Sequence, residues 1–68
     1  MKLTDEEWAL AKTILTTRQL AALDWWRRGA GYRRIASILG ISRDAARGRV
    51  ERGLARLRYE LEAGTIAA

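Results

Sequence analysis

The side chains available for chemistry in this chain are overwhelmingly cationic. Eleven arginines and two lysines stand against eight carboxylates, with no histidine and no cysteine. Nothing here assembles a nucleophile with its base, no Gly-rich phosphate loop follows a strand, and Glu60 and Glu62, two apart on a helix, do not face each other. These absences argue against an enzyme, and no cofactor or metal site is expected. The acidic run Asp5-Glu6-Glu7 could be read as a metal site or a partner epitope, but helix-start chemistry explains it better. What remains is the binding of a polyanion. Residues 16–58 hold all eleven arginines against only Asp24, Asp44 and Glu51, while both flanks are net acidic. Positive charge gathered on one segment is the electrostatic footprint of a nucleic-acid binder.

The elements that must position those arginines lie between Gly29 and Arg58. Ile35, Ala36, Ile38 and Leu39 recur at helical spacing and stop at Gly40. A glycine just past the last periodic residue takes the left-handed conformation without a Cβ penalty and ends a helix. Ile41 is then placed to plug the angle between two helices, and Ser42 to cap the next one. Helix, Gly-apolar-Ser turn and arginine-rich helix make a helix-turn-helix. On a wheel of about 100° per residue, Ala46, Val50, Gly53, Leu54, Leu57 and Leu61 share the core side of the second helix. The opposite side carries Asp44, Ala45, Gly48, Glu51, Arg52, Ala55 and Tyr59. Arg47 and Arg58 border it on one edge, Arg49 and Arg56 on the other. Short side chains let the backbone approach base edges in a groove, while long cations reach phosphates on either wall.

Ser42, Arg43, Asp44, Ala45, Arg47 and Gly48 are therefore the candidates to face the major groove. Arg43 and Arg47 suit guanine O6 and N7; Asp44 either accepts from a cytosine amine or simply favours the helix N-terminus. Arg49, Arg52 and Arg56 are phosphate candidates. So are Tyr32, Arg33 and Arg34, at a helix start where backbone amides can hold an anion.

The residues also carry a resemblance. From Leu15 to Leu57 the chain resembles the helix-turn-helix of region 4 of bacterial sigma factors and of LuxR (GerE)-type regulators. L-T-T-R-Q at 15–19 is similar to their opening helix, and G-x-G-Y-R-R-I-A-x-x-L-G-I-S at 29–42 to their scaffold helix and turn. R-D-A-A-R-G-R-V-E-R-G-L-A-R-L at 43–57 resembles the sigma recognition helix more than the LuxR one, because cations and leucines continue for several turns. The chain departs from those families at Ala45-Ala46, Arg34 and Gly48. The resemblance implies a sequence-specific transcriptional regulator of bacterial or phage type, with double-stranded DNA as partner. It equally allows a sigma-region-4-like interaction module that binds RNA polymerase or another transcription factor.

Sixty-eight residues make one domain near the lower size limit for a self-sufficient core. The expected architecture is all-α, a small four-helix domain over 1–68 with helices at 4–14, 17–28, 32–39 and 43–62 and a tail at 64–68. Thr4 with Glu7, and Thr16 with Gln19, are spaced as capping boxes, with Leu3–Trp8 and Leu15–Leu20 as staples. The first helix is expected to bury Trp8, Ala11 and part of Ile14 or Leu15, and Leu23 and Trp26 to be core positions of the second. Gly53 is placed to allow a close helix crossing. Trp25 either seals a helix edge or contacts a partner. Leu57 and Leu61 meet the first helix, or a second subunit in a homodimer, if the long helix outruns the domain. No apolar run reaches the roughly 18 residues of a membrane span, so a soluble, cytoplasmic protein is expected.

Overall fold

The computed structural model describes residues 3–64. Residues 1, 2 and 65–68, which include most of the expected tail, lie outside the described part. Four helices follow one another: α1, Asp5–Ile14; α2, Thr17–Arg27; α3, Tyr32–Leu39; and α4, Arg43–Glu62. No strand occurs among the described residues. The longest helix, α4, packs on all three others, most extensively on α2 and α3.

Local chemistry sets each boundary. Thr4 Oγ1 accepts from the Glu7 amide at 3.1 Å, and Glu7 Oε1 accepts from the Thr4 amide at 2.9 Å. The same reciprocal pair joins Thr16 and Gln19, at 3.1 Å each way. Both boxes satisfy amides that a helix start leaves orphaned. Between α3 and α4, Gly40 adopts φ +68°, and the Ile41 amide donates to the Ala36 carbonyl at 3.0 Å. A side chain at Gly40 would be strained there by its own backbone, so glycine is required. Ser42 Oγ then accepts from the Ala45 amide at 3.0 Å and starts α4.

The core gathers Leu3, Leu10, Ala11, Leu15, Ala22, Leu23, Ile35, Ala36, Ala46, Val50 and Leu57. Leu23, Ile35 and Val50 are its largest fully buried side chains, one each from α2, α3 and α4. Burying each contributes about 1.5–3 kcal/mol, a large share for so small a domain. Ala11, Ala22 and Ala46 are also fully covered, so short side chains set how closely the helices approach.

Several expected packing positions are corrected. Trp8 is half-buried rather than a core residue; Leu10, not singled out by the sequence pattern, is buried in its helix. Ile38 shares the spacing of its neighbours but is 44% exposed. Leu57 is 2% exposed, so it belongs to the monomer core and offers no partner surface. Leu61 is 45% exposed, while Glu60, at 9%, is covered in its place. The wheel alone does not separate them: about the direction set by Ala46 and Leu57, Leu61 and Glu60 fall about 50° to either side. Glu60 then meets the Arg56 guanidinium across 3.5 Å. Gly53 is buried, yet a Cβ there would lie 3.4 Å from Leu15 Cδ1 and 3.8 Å from Gln19 Cβ. Those are ordinary contacts, so the crossing does not require glycine.

Candidate nucleic-acid interface

α3 and α4 bring the arginines to the surface by different routes. Gly31 begins α3 without a side-chain cap, and no acid occupies its first turn. The partial positive charge of that helix end is therefore unopposed locally, and exposed Arg33 and Arg34 add to it. Tyr32 beside them is half-buried against the core.

At the start of α4, Ser42, Arg43, Asp44 and Arg47 are exposed, and Ala45 and Gly48 are half-buried. The Ser42 hydroxyl oxygen is already engaged as the helix cap, so its remaining capacity is its O–H donor. Arg52 is exposed, and its guanidinium lies back over Gly48: a Cβ there would sit 3.1 Å from Arg52 Nη1. Gly48 thus gives a neighbouring cation room close to the backbone. Arg49 is half-buried on the opposite border, and Arg56 is exposed but held toward Glu60.

Arg47 is the one cation of the early α4 surface with a carboxylate on it. Its Nε–H donates to Glu51 Oε2 at 3.0 Å. The Glu51 hydrogen bond and charge raise its pKa further above the usual arginine value, with smaller contributions from Tyr32 and Asp44 working against slight desolvation. The spacing of four that makes this pair is readable in the sequence. Among the described residues, Arg18, Arg33, Arg34, Arg43, Arg49, Arg52 and Arg58 form no ion pair.

Arg27 and Arg28 behave differently. Both Nε atoms converge on Asp24 Oδ1, at 2.9 and 3.2 Å. Arg27 also lies over the Trp8 ring, 4.2 Å from its centroid, and Arg28 lies 5.5 Å from that of Trp25. Trp25 is half-buried and packs on the core edge. A hollow of about 320 Å³ beside it is lined by Trp25, Arg28, Gly29, Ala30 and Arg34.

At the far end of α4, Leu54, Leu57, Arg58 and Leu61 face Leu3, Glu7 and Trp26 across an open groove of about 280 Å³. No group of side chains among the described residues could hold a metal ion. No described helix is long and apolar enough to cross a membrane. Comparison with protein-family models, curated proteins and solved structures finds no match to this chain.

Proposed function

We propose that this chain is a sequence-specific binder of double-stranded DNA that acts as a transcriptional regulator and lays the outer face of α4 in the major groove. The observation that carries the reading is the segregation of charge. Of the seven described arginines without ion partners, Arg33 and Arg34 stand at the start of α3 and Arg43, Arg49, Arg52 and Arg58 along α4, with only Arg18 on α2, whereas Arg27 and Arg28 at the end of α2 are tied down. Ion pairs satisfy surface cations within a fold; a run of unsatisfied ones fits a partner that brings its own anions.

The roles follow from side-chain type. Arg33, Arg34, Arg49 and Arg52 grip phosphate, helped by the uncapped amides of α3. Arg43 and Arg47 read guanine, and Asp44 accepts from a cytosine amine. Asp44 also favours the N-terminus of α4. The stretch from Arg43 to Arg52 rises about 13 Å, enough to span roughly four base pairs at 3.4 Å each. The resemblance of residues 15–57 to sigma region 4 and LuxR-type domains supports the same reading, for a regulator of bacterial or phage type.

A second reading, a module that binds RNA polymerase or another transcription factor, is favoured by exposed Leu61 and the groove beside it. Salt separates the two. Duplex binding through about four phosphates should weaken with a log–log slope of about −3.6 against salt. Binding to a polymerase subunit with no salt-sensitive duplex binding would replace the first reading by the second.

A further inference from the structure

The one ion pair on the early outer face of α4 deserves a functional explanation, because helix stability supplies a poor one. Arg47 and Glu51 side chains are 62% and 53% exposed, and exposed pairs contribute little to folding. The order is also the less favourable one, with the cation N-terminal to the acid by four residues. A carboxylate on a surface that meets a polyanion opposes every phosphate alike. If Arg47 merely gripped phosphate, Glu51 would only weaken it.

We propose that Glu51 is a positioning residue that aims Arg47 at guanine and so sets the base preference of the interface. The inference rests on the duplex-binding reading above. An arginine has five N–H donors in a planar fork. Glu51 Oε2 occupies the Nε–H at 3.0 Å, which leaves the end-on edge formed by Nη1 and Nη2. Two parallel donors on that edge match guanine O6 and N7. Arg43, Arg49 and Arg52 have no carboxylate partner among the described residues. Their guanidinium groups remain free to follow phosphates, where a fixed orientation brings no advantage. Glu51 therefore acts twice on the specificity ratio: it orders the reader, and it discourages contact with unmatched sequence.

The test uses the full chain with two probes: the duplex that wild-type protein selects from a random pool, and a duplex of unrelated sequence. Glu51→Gln should relax the preference at one base pair by about tenfold and raise affinity for the unrelated duplex severalfold. Glu51→Asp keeps the charge but shortens the reach; it should relax the preference without that rise. The affected base pair must be the one relaxed by Arg47→Ala, and in an Arg47→Ala background Glu51→Gln should change the preference no further. Equal changes on both duplexes, or an undiminished effect without Arg47, would reduce Glu51 to a bulk charge and overturn the proposal. Absence of any duplex binding by the wild-type chain would overturn the parent reading itself. Helicity and melting temperature close to wild type in each variant are the accompanying readout that separates positioning from folding.

Discussion

Arg27–Arg28 and Arg33–Arg34 are two arginine doublets on either side of one glycine turn, and the fold treats them oppositely. The first is tied down by the fold, with a single Asp24 oxygen receiving both Nε groups and an indole ring near each guanidinium. The second stands exposed at a helix start with no ion partner among the described residues. Identical letters thus serve structure in one place and remain available to a ligand in the other. What separates them is the company kept on the helix. Asp24 lies three and four residues before its arginines, on the same face, whereas nothing acidic precedes Arg33 and Arg34 within a helical turn.

That contrast can be broken by substitution. The largest effect belongs to the inward side: Leu23→Ala should cost about 2–5 kcal/mol. A domain of this size holds only about 3–5 kcal/mol, so the variant should lose its cooperative thermal transition in circular dichroism. On the outward side, Arg47→Ala should leave the melt close to wild type while weakening specific duplex binding by about 1–3 kcal/mol, measured by titration at fixed salt. An unchanged affinity for the selected duplex would remove Arg47 from the base readers. Asp24→Asn should cost about 1 kcal/mol of stability, at the upper end for exposed ion pairs because one carboxylate serves two cations. Duplex affinity should hold or rise slightly as those cations are released; a fall would mean that the α2 end also forms part of the interface. The smallest effect runs the other way. Gly53→Ala has room for its methyl group and should stabilise α4 by about 0.5–1 kcal/mol, raising the melting temperature. A lowered one would show that the α4 crossing over Leu15 does require glycine.

The sequence discloses what is local. Both capping boxes, the Gly40 stop and the Ser42 cap depend on residues within four positions of each other, and the helices begin and end within a residue or so of expectation. The core face of α4 from Ala46 to Leu57 follows from periodicity alone. Periodicity fails where packing decides. Ile38 and Leu61 have apolar side chains yet stay exposed, while Glu60, as far from the buried direction of α4 as Leu61, is covered. Trp8 packs on the rim of the core, with the Arg27 guanidinium against its face.

The candidate site divides along the same line. Exposure of Arg47 and Arg52 was legible from the wheel of α4. The half-buried state of Arg49, Ala45 and Gly48 was not, since a wheel shows direction and not how side chains such as Arg52 fold over their neighbours. The choice for Leu57 between the monomer interior and a partner surface was open for the same reason, and its burial selects the interior.

The most direct test of an outward-facing α4 is amide chemical-shift mapping of the full chain as a duplex is added. Perturbations should concentrate at Tyr32–Arg34 and Ser42–Arg52, leaving Asp24–Arg28 and Leu57–Leu61 nearly still. Shifts centred instead on Trp26 and Leu61, or a spectrum that the duplex leaves unchanged at low salt, would contradict it.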